Sequence, residues 1–109
     1  MNLSHDEKKL IKKLKINLEN LLGPVKVKLI LFGSKATGGY DRYSDTDIAI
    51  IVKGLTKKQK NRILEEVAAF EIENIMPLST LILSEKDLEF LKKRERAIAF
   101  HIENDGVPL

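Results

Sequence analysis

Leu29-Ile30-Leu31-Phe32-Gly33-Ser34-Lys35-Ala36-Thr37-Gly38, followed after a short polar stretch by Ser44-Asp45-Thr46-Asp47-Ile48-Ala49-Ile50-Ile51-Val52, decides the fold of this chain. Val25 to Phe32 is rich in apolar and β-branched residues and reads as a strand. Gly33 to Ser44 carries Gly, Ser, Thr and Asp and reads as a loop, with room for a short helical turn after Ser34. Asp47 to Val52 reads as a second strand. Its unbroken apolar run from Ile48 implies burial on both faces, as in a central strand covered by helices.

Working outward, Ser4 and Glu7 have the spacing of a capping box, so a helix begins near residue 5. Leu10, Ile11, Leu14, Leu18, Leu21 and Leu22 recur at helical spacing until Gly23-Pro24 ends the segment. On the other side, Thr56 caps a long helix reaching about Asn74, with Ile63, Leu64, Val67, Ala68 and Phe70 toward the core. Pro77 opens a third strand, Leu78 to Leu83, at a position where a missing N–H is tolerated. Ser84 with Asp87 is another capping signal, and a last helical region is expected to run to about Asn104, before Gly106. The order α-β-β-α-β-α describes an α/β (α+β) fold: a small mixed β-sheet flanked by helices.

The 109 residues are expected to form a single domain with one modest core. No apolar run approaches the roughly 18–20 residues needed to cross a bilayer. The amino-terminal stretch is charged and has no apolar core of a secretory signal, so a cytoplasmic location is the expectation. The absence of cysteine excludes disulfides and thiolate metal sites. The net charge of +3 owes much to Lys8, Lys9, Lys12, Lys13 and Lys15. Such a run can steer RNA or another acidic partner, but it has no interleaved aromatic residues and reads first as a solvated helix face.

Two features between the first two strands carry chemistry. Gly33 lets the backbone turn tightly after Phe32, and the N–H groups that follow can form an anion-binding nest. Ser34 adds a hydroxyl and Lys35 a positive charge, both suited to phosphate oxygens. The Gly-Lys-Ser/Thr ending of a P-loop is absent. Asp45 and Asp47 then stand at i and i+2, and such side chains share one face of an extended strand, about 6.5–7 Å apart along it. Two carboxylates so placed can share divalent cations, and Mg²⁺ accepts one or two carboxylates with substrate phosphates completing its shell. Each feature alone has a plain use, as a turn or as a strand start. Their combination is more specific.

Gly-Ser, ten residues, then Asp-x-Asp opening a buried strand resembles the pattern of the DNA polymerase beta-like nucleotidyltransferases. It looks most like their minimal (MNT-type) branch. Gly33-Ser34-Lys35-Ala36-Thr37-Gly38 is similar to that family's Gly-Ser-x-Ala-x-Gly stretch, and Ser44-Asp45-Thr46-Asp47-Ile48 to its Ser-Asp-x-Asp-hydrophobic stretch. The element order and the ending Ile102 to Leu109 are similar too, so the resemblance covers most of the chain. It implies a nucleotidyltransferase fold, with Asp45 and Asp47 as catalytic residues holding Mg²⁺ and Gly33 and Ser34, helped by Lys35, binding the triphosphate of a nucleotide, usually ATP. It further implies transfer of a nucleoside monophosphate to a hydroxyl of a protein or other macromolecule. The MNT branch implies a HEPN-type protein as partner, in an antitoxin–toxin pair.

Members of this superfamily usually carry a third carboxylate on the next strand. Here the expected position falls on Ser79, or on Thr80 if the register is one residue off. Glu71 or Glu73 could serve if that strand started earlier. The missing carboxylate leaves a second reading, a binding module that holds a nucleotide or a partner without turnover. A small-molecule transferase is the weaker third, because no residues remain for a second, acceptor-binding domain. Arg96 and His101 form an Arg-x4-His pattern like that of HEPN nucleases, but on a charged terminal helix it reads as coincidence. Tyr40, Arg42 and Tyr43 can stack on a base or contact a phosphate, and equally line an exposed loop.

Overall fold

A computed structural model describes residues 3–23, 26–37 (the Ser34 and Thr37 side chains apart) and 45–109. Helix α1, His5–Leu22, begins on a complete capping box. Ser4 Oγ accepts from the Glu7 N–H at 3.1 Å, and Glu7 Oε1 accepts from the Ser4 N–H at 3.0 Å. It ends where the Gly23 N–H donates to Glu19 O, 2.7 Å. Strand β1, Val27–Phe32, leads into the four-residue helix α2, Ser34–Thr37. Strand β2, Thr46–Val52, is followed by α3, Lys57–Asn74, whose cap pairs Thr56 with Gln59 in the same reciprocal way. Strand β3, Leu78–Ser84, runs directly into α4, Glu85–Lys93, capped by Ser84 and Asp87. The expected starts of all three long helices are therefore found where side-chain oxygens meet the first free N–H groups.

The described strands form one sheet in the order β3-β2-β1-β4, where β4 is Val107–Pro108. β1 pairs antiparallel with β2, and β2 pairs parallel with β3. A parallel neighbour requires a crossover, which α3 supplies. The fold is thus the mixed α+β arrangement expected from the sequence, with helices on both faces. Alternation along β2 divides the core in two. Ile48, Ile50 and Val52 pack with Leu14 and Leu18 of α1 and with Ile63, Val67 and Phe70 of α3. Ala49 and Ile51 face the other way, against Phe32, Leu88, Ala99 and Ile102. Every residue from Ile48 to Val52 is buried, as a strand covered on both faces requires.

The expectation of one helical region to Asn104 is corrected. α4 stops at Lys93, and Glu95 takes a left-handed backbone, φ +53°. A second short helix, α5, spans Ala97–Phe100 and passes into a π-helical turn, His101–Asp105. Lys92 to Arg96 have no helix breaker, so packing decides the break. Leu88 before it and Ala99 and Ile102 after it all cover the same sheet face, which a straight helix crossing a small sheet cannot achieve. The chain then reaches the edge of β1 as β4, with Val107 opposite Leu31 and Pro108 opposite Ile30. Among the described residues no helix is long and apolar enough to cross a membrane.

Candidate active site

At the end of β1 the chain turns at Gly33, with φ +74°, and the Ala36 N–H closes the turn on Gly33 O at 3.1 Å. A β-carbon here would overlap an oxygen of the Asp47 carboxylate and stand 3.1 Å from its Cγ. The glycine serves two ends: it permits the left-handed backbone and lets the turn close against the aspartate. The turn at 33–37 and the second carboxylate, 14 positions apart in sequence, are therefore neighbours in space.

Asp45 immediately precedes β2 and is exposed; Asp47, the second residue of the strand, is half-buried. Thr46 between them is 1% exposed and belongs to the α1–α3 side of the sheet. Alternation sends both aspartates to the opposite side, the one carrying Phe32, Ala49 and Ile51. In the sheet register Asp47 lies between Phe32 on β1 and Ser79 on β3. Ser79, not Thr80, is thus the strand-β3 residue on the carboxylate face, and it is exposed. Glu71 and Glu73 do not substitute, because both remain on α3. Glu71 accepts from the Leu78 N–H at 3.3 Å, and Glu73 pairs with Lys13 at 3.5 Å.

Lys35 turns inward between α1 and β2. Its ammonium lies 3.0 Å from Thr46 Oγ1 and 3.3 Å from Glu7 Oε2, and the side chain is 12% exposed. It engages the face of β2 opposite the aspartates because its nearest charge partner is on α1. In the sequence Glu7 reads only as a helix cap. No local pattern links positions 7 and 35, so the contact exists only through the fold.

Glu7 also has an altered acidity. Burial opposes its ionisation, but the Ser4 N–H, the Lys35 hydrogen bond and the Lys35 charge together outweigh burial and hold its carboxyl below the ordinary glutamate value. A carboxyl depressed in the folded state contributes stability above its unfolded pKa and loses it as pH falls through the lower folded value. The melting temperature should therefore drop as pH is lowered from above roughly 4.3, the unfolded glutamate value. Glu7→Gln keeps a capping side chain but removes the charge. Melting curves across acid pH should show a shallower decline for this variant than for the parent.

The donor set suits a hard cation bound with its substrate. Asp45 and Asp47 supply carboxylate oxygens on one face, and the glycine turn abuts the second of them; Mg²⁺ accepts one or two carboxylates with substrate phosphates completing its shell. Among the described residues, no group of three or more His, Asp or Glu side chains is gathered that could hold a metal, consistent with Ser79 at the third position. The lysine run of α1 is mostly solvent-exposed. Arg96 precedes α5, while His101 is exposed and lies 3.2 Å from Asp105. Gly38, Tyr40, Arg42, Tyr43 and Ser44 lie outside the described residues.

A glycine turn after a strand, seated against an Asp-x-Asp pair at the head of the central strand, defines the class to which this chain belongs: it is a member of the nucleotidyltransferase domain family, whose family model matches residues 8–106. It is 30% identical over 99 residues to a Methanocaldococcus jannaschii protein named as a candidate protein adenylyltransferase, covering 90% of this chain and 93% of that protein. The fold is also similar to the crystal structure, at 1.40 Å resolution, of a candidate nucleotidyltransferase from Sulfolobus solfataricus. That match has a TM-score of 0.59 and 24% identity, and covers 92% of this chain and 76% of the other.

Proposed function

We propose that this chain transfers a nucleoside monophosphate, AMP from ATP, to a hydroxyl of a protein or other macromolecule. The observation that supports the reading is the closure of the Gly33 turn onto Asp47, which sets a turn of the kind that can bind phosphate beside one carboxylate of the Asp-x-Asp pair. The resemblance to a candidate protein adenylyltransferase supports AMP and a protein acceptor. In the reaction the acceptor oxygen attacks the α-phosphorus in line, a new O–P bond forms, and the bond to pyrophosphate breaks. The acceptor proton is released, so ATP and the hydroxyl give the AMP ester, pyrophosphate and H⁺.

Asp45 and Asp47 would hold Mg²⁺, which when bound neutralises phosphate charge. The backbone N–H groups after Gly33, with Ser34, orient the triphosphate, and positioning and charge neutralisation account for most of catalysis in such transfers. A HEPN-type protein is the partner the sequence resemblance implies. Ser79 opposite Asp47 favours a second reading, nucleotide or partner binding without turnover, because a hydroxyl brings no negative charge to the metal or the attacking oxygen.

Incubation with Mg²⁺ and ATP labelled at the α-phosphate, in the presence of proteins and RNA from the source organism, separates the readings. Label on a macromolecule with release of pyrophosphate is the expected result. Tight MgATP binding without label transfer would establish a nucleotide-binding module instead, and neither binding nor transfer would sink the transferase and the nucleotide-binding readings together.

A further inference from the structure

Three elements meet at the Lys35 ammonium: the first turn of α1 through Glu7, helix α2 through Lys35 itself, and the start of β2 through Thr46. Glu7 is a fixed anchor, since its other oxygen is held by the Ser4 N–H at 3.0 Å. Thr46 is the buried polar residue of the described core, and its hydroxyl accepts the lysine's hydrogen bond. It also separates Asp45 from Asp47, on the reverse side of the strand from both. A contact that fixes Thr46 fixes the backbone from which the two carboxylates project. The same lysine belongs to the helix that follows Gly33, so it also ties the phosphate turn to the strand.

Resting on the nucleotidyltransferase reading above, we infer that Lys35 is a positioning residue. Through Thr46 and Glu7 it sets the spacing between the glycine turn and the Asp45–Asp47 pair, without serving as the phosphate ligand that its place in the motif suggests. Loss of the ammonium leaves a buried hydroxyl unpaired and a part-buried carboxylate without its counter-charge. The strand start then relaxes, and the carboxylates no longer meet a metal–nucleotide complex at the right separation from the turn.

The test is MgATP affinity together with affinity for metal-free ATP in excess chelator. It is measured for the parent protein, Lys35→Met, Thr46→Val, the double variant, Lys35→Arg and the Asp45→Asn/Asp47→Asn variant, with thermal melts confirming folding. A positioning role predicts that Lys35→Met and Thr46→Val each weaken MgATP binding about tenfold, and that the double variant is no worse than either, because one linkage is broken in all three. Metal-free ATP affinity should stay near the parent value, and Lys35→Arg should recover part of the loss.

Equal losses for MgATP and metal-free ATP, or single effects that multiply in the double variant, would identify a direct phosphate contact and overturn the inference. So would unchanged affinity in Lys35→Met. If Lys35→Met does not fold, Thr46→Val, which keeps the side chain's shape, decides by the same criteria. Parent protein that binds MgATP in a manner dependent on Asp45 and Asp47, with position-35 and position-46 variants unaffected, removes this inference alone. Parent protein that binds no MgATP removes the nucleotidyltransferase reading and this inference with it.

Discussion

Replacing both Asp45 and Asp47 by asparagine should reduce nucleotidyl transfer at least about a thousandfold while the protein remains folded. Charge neutralisation at a transferring phosphoryl group is worth several kcal/mol, and roughly 4 kcal/mol corresponds to three orders of magnitude in rate. Asparagine keeps the shape of aspartate and a carbonyl oxygen but carries no charge, so it holds a divalent cation poorly. Folding should survive because Asp45 is exposed, Asp47 is only half-buried, and neither belongs to either apolar cluster. Two carboxylates on one strand face also repel each other when no cation lies between them. The double variant is therefore expected to melt at the parent temperature or somewhat above it, the usual exchange between a charged site and stability. Rate of label transfer and melting temperature, measured on the same preparation, check both halves. A variant that transfers AMP at the parent rate would remove the aspartates from the site.

The helices and principal strands were legible because their signals are local. Ser4 with Glu7 and Ser84 with Asp87 stand three residues apart, and the run from Ile48 to Val52 has no polar interruption. Ser79 was legible for a related reason, since two parallel strands with regular registers leave little freedom in which residue lies opposite Asp47. Features that depend on distant partners were not. The break after α4 comes from the need to place Leu88 and Ile102 on one sheet face, and strand β4 is too short to have a period. Lys35 shows the limit most directly. Its sequence neighbours point to phosphate, but the fold brings Glu7 and Thr46 to it from opposite directions in the chain. Motif position points to a region of the chain, whereas which side chains meet within it, Lys35 with Glu7 and Thr46 or the Gly33 turn with Asp47, is set by the fold.

Gly33→Ala should be the most damaging single-methyl change in the site, and its two effects can be separated by a second glycine. At φ +74° an alanine is strained, at a cost of about 1–2 kcal/mol. Gly54, in the turn after β2, has φ +65°, with nothing within 4 Å of the place its β-carbon would take. Gly54→Ala thus carries the backbone strain alone. At Gly33 the added carbon also meets the Asp47 carboxylate, and relief requires that side chain to swing away from the turn or the turn to lift off the strand. Either movement separates the Gly33 turn from the carboxylate pair, and in the proposed reaction a misplacement near 1 Å can cost about a hundredfold in rate. Gly54→Ala should lose only the stability that backbone strain costs and Gly33→Ala at least that much, while Gly33→Ala alone loses about a hundredfold or more in transfer or in MgATP affinity. Equal activity in the two would mean that the contact between the turn and Asp47 has no part in the chemistry.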